Sequence, residues 1–213
     1  MTEPDGLLRL SQWLSPAFPV SSYAYSHGLE AEMATGRVTD AAGAQAWISG
    51  VLRAGAGRTD AILLGACLDE EADFDALADL ARALAGSSER WIETRDQGAA
   101  LAATLAQLGE GDGAARAYPI VLGSAARGLA LEPRLVVAMY LQAFAATLVS
   151  AAVRFVPLGQ AVGQGILADL RPVIEDVTAR ALEDGLDGIG QAAFGADLAA
   201  MEHEGLDVRI FRT

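Results

Sequence analysis

The chain has 213 residues, of which 52% are hydrophobic and 20% are charged, so it is long and apolar enough to form its own core. A net charge of −13 offers no basic surface for phosphate groups, which argues against a nucleic-acid-binding protein. A single cysteine excludes a disulfide-rich fold and a cysteine-based metal centre, and it fits a reducing compartment such as the cytoplasm. The opening MTEPDGLLRL has acidic residues before its apolar run and no basic segment at its start, so we do not expect a secretion signal.

Nearly every segment has the spacing of apolar residues that is typical of an amphipathic helix. Candidate N-caps precede three of these segments: Thr39 or Asp40, then Asp73, then Ser87 or Ser88. Glycines interrupt the alanine-rich stretches. Glycine lowers helix stability, so its presence there predicts places where two helices approach closely. We predict one all-α domain over residues 1–213, a single-domain bundle of roughly eight to ten helices. Its N-terminus (about 1–5) and its C-terminal tail (about 205–213) are expected to be flexible.

The stretch 15–30, SPAFPVSSYAYSHGLE, combines two prolines with a group of aromatic and polar residues. The prolines predict a rigid loop, after which Ser21 or Ser22 would cap a helix. That helix would carry Tyr23, Tyr25, His27, Glu30 and Glu32.

Two histidines raise the question of a metal site. His27 and Glu30 would lie one helical turn apart, but a metal centre needs three or four ligands, so a hydrogen-bonded His27 is the favoured interpretation. His203, between two glutamates, is interpreted as part of a solvated, acidic helix end. The alternative hypothesis is a helical metal-binding protein or enzyme in which His27, Glu30 and His203 converge on one site.

The stretch 135–153 contains 19 residues without a charge, close to the length of a membrane span. Six alanines and four polar residues weaken its hydrophobicity, so we predict a helix buried in the core or at a subunit interface of a soluble protein. Pro157 should end this helix. The glycines of PLGQAVGQG, 157–165, suggest a phosphate-binding loop, but no strand precedes them and no lysine follows, so we predict no nucleotide site.

Four segments in chain order resemble parts of the urease accessory proteins of the UreF type. The first is carried by Phe18, Pro19, Ser26, Gly28, Leu29 and Glu30, and the second by Glu93 and Arg95. The third is carried by Arg154, Pro157, Leu158, Gly159, Gln160, Gly163 and Gln164, and the fourth is the closing RIFRT. His27 stands where the family often has glycine, which counts against a metal role shared by the family.

The resemblance implies an all-helical cytoplasmic chaperone with no reaction and no tightly bound cofactor of its own. Such a protein forms a homodimer, binds the accessory protein UreD (also called UreH) and with it recruits the GTPase UreG. The assembly helps deliver nickel to apo-urease, so partner proteins handle both nickel and GTP. Contact with nucleic acid or membrane is not expected.

The predicted partner-binding residues are Phe18, Pro19, Tyr23, Ser26, Glu30, Arg154, Pro157, Gly159, Gln160, Gln164, Arg209, Phe211 and Arg212. Arg154 is the most informative of them, because a positive charge would end a charge-free helix beside two glutamines. It is predicted to be a partner-binding hot spot, unless it pairs with a core carboxylate such as Glu93 or Glu30.

Overall fold

A computed structural model of the protein describes residues 2–190 and 192–212, and within these residues it contains helices and no strand. The helices are α1 (Glu3–Trp13), α2 (Leu29–Ala34), α3 (Ala41–Ala54), α4 (Ala56–Cys67), α5 (Phe74–Ala83), α6 (Ser88–Gln107), α7 (Tyr118–Ala126), α8 (Pro133–Phe155), α9 (Gln160–Asp169), α10 (Arg171–Asp184) and α11 (Phe194–Glu204). Short 3₁₀ turns lie at Ser22–Ala24, Arg127–Leu129 and Gly185–Gly188. The predicted all-α, single-domain bundle is confirmed.

The helix boundaries follow local sequence signals. Asp40, Asp73 and Ser87 each accept hydrogen bonds from backbone N–H groups of the following turn, as their positions predict. Pro133 occupies the first turn of α8, where its missing N–H costs no helical hydrogen bond. The helix ends two residues before Pro157, as predicted.

The long helix α8 lies at the centre of the bundle, in contact with α2, α3, α4, α9 and α10. Val136, Val137, Leu141 and Leu148 are among its fully buried side chains. Within the described residues it is the one helix whose length and composition would allow it to cross a membrane, and half of its most apolar window is buried in protein. Its other face is half-exposed.

The predicted helix over residues 23–32 is wrong. The chain makes only the 3₁₀ turn Ser22–Ala24, then passes through two left-handed residues, His27 (φ 53°) and Gly28 (φ 77°), before α2 begins. A left-handed residue stops a right-handed helix, so His27 and Glu30 do not share one helical face. The expected flexibility of the two ends stays a prediction. Helix α1 begins at Glu3, and the tail folds back so that Phe211 is only 3% exposed.

Two glycines show why glycine occurs inside the alanine-rich helices. A Cβ added at Gly98 of α6 would lie 1.9 Å from the carbonyl oxygen of Arg116, just before α7. A Cβ added at Gly123 of α7 would lie 2.5 Å from the Cβ of Cys67. Helices α4, α6 and α7 therefore pack at distances that a side chain would prevent, which confirms the prediction of close helix approach.

Replacing Gly98 by Ala should destabilise the protein by about 2 kcal/mol or more, because the methyl group would force α6 away from the α7 segment. The matched control is Gly50→Ala in α3, where an added Cβ meets nothing within 4 Å. That change should stabilise the helix by roughly 0.5–1 kcal/mol. Urea unfolding of both variants measures the two effects, and a neutral Gly98→Ala would contradict the close packing.

Candidate functional site

The C-terminal segment is attached to the bundle through His203 of α11. Its Nδ1 lies 2.8 Å from Oε2 of Glu89 on α6, and its Nε2 lies 2.9 Å from Oε2 of Glu30 on α2. The imidazole is completely buried. Since an ionised carboxylate only accepts hydrogen bonds, both contacts are satisfied when both ring nitrogens carry protons. The interpretation of His203 as a solvated residue is wrong, because the tail covers it.

Glu30 also binds the backbone of the tail. Its two carboxylate oxygens accept hydrogen bonds from the N–H groups of Ile210 (2.8 Å) and Phe211 (2.9 Å). Arg209 adds an ion pair to Glu89, with Nη1 and Oε1 2.7 Å apart. Ser26 supports Glu30 from the other side, since its Oγ accepts a hydrogen bond from the Glu30 N–H. We call the set Glu30, Glu89, His203 and residues 209–212 the tail clasp.

Arg154 closes the clasp at the end of α8. Its Nη2 donates a hydrogen bond of 2.7 Å to the carbonyl oxygen of Tyr23, and its guanidinium lies 4.7 Å from the centre of the Phe211 ring. The Arg212 N–H donates to the Ala24 carbonyl oxygen at 2.7 Å. Arg154 is exposed and pairs with neither Glu93 nor Glu30, so the alternative of a core carboxylate partner is wrong.

Tyr25 lies beneath the clasp and is 2% exposed. Burial raises the pKa of its hydroxyl, and a hydrogen bond to the Arg212 side chain partly offsets that rise. The tail therefore contacts the 15–30 loop through both the backbone and the side chain of Arg212. Two segments about 190 residues apart in sequence thus form one surface.

A second buried polar cluster surrounds His27, whose Nε2 lies 3.0 Å from Oε1 of Glu93. Arg90 pairs with both Glu93 and Asp60, and Asp60 accepts a hydrogen bond of 2.6 Å from the Tyr140 hydroxyl. Burial alone raises the pKa of Glu93, but His27 and Arg90 lower it by more, and the net direction is downward. Burial, followed by the charge of Asp60, raises the pKa of Tyr140. Charges paired in this way hold α4, α6 and α8 together around a cavity of about 40 Å³.

The two histidines do not lie together in one site. Glu30 contacts His203, whereas His27 binds Glu93 instead, and the described residues include no group of three or more His, Cys, Asp and Glu side chains placed to hold a metal ion. The alternative hypothesis of a site formed by His27, Glu30 and His203 therefore has no geometry to support it.

The predicted partner-binding residues fall into three groups. Exposed residues around the end of α8 are Tyr23, Arg154, Pro157, Gly159, Gln160, Gln164, Arg209 and Arg212. Ser26, Glu30 and Phe211 are buried and support that surface from below. Phe18 and Pro19 lie elsewhere, in a groove of about 910 Å³ beside α8. Their role in partner binding stays a prediction.

Sequence reasoning missed Glu89 of the clasp, and it did not include Tyr25 beneath the clasp among the site residues. The one available signal was the spacing of Glu89 and Glu93, since residues four apart share a helical face and two carboxylates on a buried face need partners. Which histidine each carboxylate would meet depends on contacts between segments more than 60 residues apart in sequence.

Replacing Glu30 by Gln should loosen the tail, because the amide retains one acceptor while its NH₂ group faces N–H donors. Hydrogen bonds to a charged group contribute about 1.5–3 kcal/mol, so amide exchange at Ile210 and Phe211 should accelerate roughly tenfold or more. The control is Glu202→Gln, which removes an exposed ion pair with Arg37. Equal exchange in both variants would show that Glu30 does not hold the tail.

Comparison with known proteins identifies the family of this chain. The sequence model of the UreF family matches residues 38–171, well over half of the chain. The urease accessory protein UreF of Jannaschia sp. (strain CCS1) is 68% identical over 98% of this chain and 94% of its own length. Those of Cereibacter sphaeroides (strain KD131) and Ruegeria pomeroyi are 58% and 44% identical, each over 97% of this chain, and over 98% and 96% of their own lengths. The chain therefore belongs to the UreF family of urease accessory proteins, and it is an accessory protein rather than an enzyme.

Proposed function

We propose that this protein is a scaffold in urease maturation that binds UreD (UreH) and with it recruits the GTPase UreG, so that nickel reaches apo-urease. Membership of the UreF family supports the role in maturation. The observation that carries the proposal is the tail clasp, which fixes two distant segments into one exposed surface. A surface that is already ordered before binding loses less conformational entropy when a partner docks.

The surface has a polar part around the end of α8. The guanidinium of Arg154 is held by the carbonyl oxygens of Ser150 and Tyr23 and by the ring of Phe211, while the residue itself stays exposed. Gln160 and Gln164 lie nearby on α9, exposed and one helical turn apart. An oriented arginine flanked by amides supplies several hydrogen-bond donors to a partner.

The surface also has an apolar part on α11 and the tail. Phe194, Leu198 and Met201 recur at helical spacing and are 74%, 59% and 50% exposed, and Val208 and Ile210 of the tail are 82% and 66% exposed. The opposite face of α11 holds the buried His203. Large apolar side chains grouped on a soluble protein are typical of a protein–protein interface. We propose that UreD covers this surface.

We further propose that the chain forms a homodimer through the groove beside α8. Leu8 of α1, Phe18 and Pro19 of the loop, and Met139 and Gln142 of α8 line this groove. Among the described residues that line it, none is charged, although the chain carries a net charge of −13. Two chains of this charge repel each other, and the repulsion between them is weakest where an uncharged apolar face of one contacts the same face of the other.

The remaining parts of the proposal concern cofactors and location. Both histidines already bind carboxylates, which supports a protein that leaves nickel and GTP to its partners. The central position of α8 supports a protein without a membrane span, and the single cysteine fits the reducing cytoplasm. The net negative charge argues against nucleic-acid partners.

Arg154→Ala should leave helix content and dimer mass unchanged while weakening UreD binding. Truncation of a hot-spot arginine costs on the order of 2 kcal/mol, or about thirtyfold in affinity. The matched control is Arg134→Ala, an exposed arginine near the other end of α8. Calorimetric titration with purified UreD, followed by urease activation with UreG present, measures the effect. If both variants bind UreD like the unaltered protein, Arg154 is not a partner contact.

Gln142→Glu is nearly isosteric and should weaken the dimer, because a two-fold interface brings two copies of the new charge together. Like charges placed opposite each other at an interface cost several kcal/mol, so at low micromolar concentration we expect mostly monomer. Gln45→Glu on α3, outside the groove, adds the same charge and should leave the dimer intact. Light scattering after gel filtration measures both masses. A dimeric Gln142→Glu would place the interface elsewhere.

A further inference from the structure

A second groove lies on a part of the molecule that shares no residue with the tail clasp or with the groove beside α8. Helix α5 forms one wall, the end of α10 and the turn Gly185–Gly188 form the other, and the end of α4 forms the floor. Its volume is about 630 Å³. A groove of this size is large enough to bury several side chains of a ligand.

The floor and lower walls of this groove are apolar. Leu77 and Leu80 of α5 face it from one side, and Leu182 and Leu186 face it from the other. Leu186 remains 44% exposed in the free chain. Two rows of leucine facing one another across an open trough are the arrangement that accepts the apolar face of a helix.

The rim of the same groove is acidic. Five carboxylates surround the leucines: Asp69, Glu71, Asp73, Asp184 and Asp187. Among the described residues only one of the five, Asp184, forms an ion pair, with Arg58. Asp69 and Asp73 also accept hydrogen bonds from backbone N–H groups. The rim nevertheless carries a net negative charge, which attracts a positively charged ligand while the floor offers apolar contact.

We propose that this acidic groove is a docking site for a basic, amphipathic helical segment of another protein. Leucines or similar residues spaced three and four apart would occupy the floor, and lysines or arginines on their flanks would pair with the rim carboxylates. A second copy of this chain does not fit the rim, because its net charge is also −13. The proposal concerns a surface that the proposed contacts with UreD and with a second copy leave free.

The test uses the full-length protein and a fluorescein-labelled 16-residue peptide with leucines on one helical face and lysines on both flanks. A second peptide of identical composition distributes the leucines around the helix. Fluorescence anisotropy at low and at moderate salt should show binding of the first peptide, at least tenfold weaker binding of the second, and weakening by salt. Equal binding of the two peptides would overturn the proposal, since it would indicate charge attraction alone.

Matched variants separate the groove from the general acidity of the chain. Asp69→Asn/Glu71→Gln/Asp187→Asn should weaken binding of the first peptide about tenfold, and Leu186→Ser should weaken it without altering charge. The control Glu3→Gln/Glu132→Gln/Glu175→Gln removes three negative charges outside the groove and should change affinity less than twofold. A control that weakens binding as much as the groove variant would overturn the proposal.

Carbodiimide coupling gives an independent readout. All 15 of the Lys and Arg residues in this chain are arginine, so zero-length crosslinks between a carboxylate of this chain and a lysine must involve the peptide. Mass spectrometry should place these crosslinks on Asp69, Glu71, Asp73 or Asp187. Crosslinks spread over the acidic surface, with none concentrated at these four residues, would contradict a site in the groove.

Discussion

The structure depends on two buried carboxylates one turn apart on α6. Glu89 binds His203 and Glu93 binds His27, so each of the two histidines in the chain is committed to this helix. A buried carboxylate without a partner is costly, and removing one member of a buried pair typically costs about 3–5 kcal/mol. Pairing α6 with both histidines therefore fixes the 15–30 loop at one turn and α11 with the tail at the next.

The pairing of histidines with glutamates gives these ionisable residues a structural role, which is consistent with an accessory protein. The imidazole rings, Glu30 and Tyr25 are all buried and hydrogen-bonded, and they hold neighbouring segments of the chain in place. These buried residues affect the surface indirectly. Their hydrogen bonds position the exposed residues above them, which are Arg154, Tyr23 and the apolar residues of α11.

Charge is distributed unevenly over the remaining surface. The groove beside α8 is lined by uncharged residues, whereas the groove between α5 and α10 has an acidic rim around an apolar floor. In a chain with a net charge of −13, these surfaces favour different partners: an uncharged surface tolerates a second copy of the same chain, and an acidic rim favours a basic protein segment.

The sequence by itself determined the helical class, several helix boundaries and the family, because amphipathic spacing, capping residues such as Asp40 and Ser87, and Pro157 act on the backbone within a few residues. It did not determine the path of residues 23–28, where His27 and Gly28 are left-handed, His27 binds the distant Glu93, and Gly28 lies against Ala199 and Ala200. Nor did it determine that His203 is buried, since two flanking glutamates suggested a solvated helix end. Only the tertiary structure brings Glu30, Glu89 and the tail around that ring, because a buried polar group is stabilised by the partners within hydrogen-bonding distance and not by its neighbours in sequence.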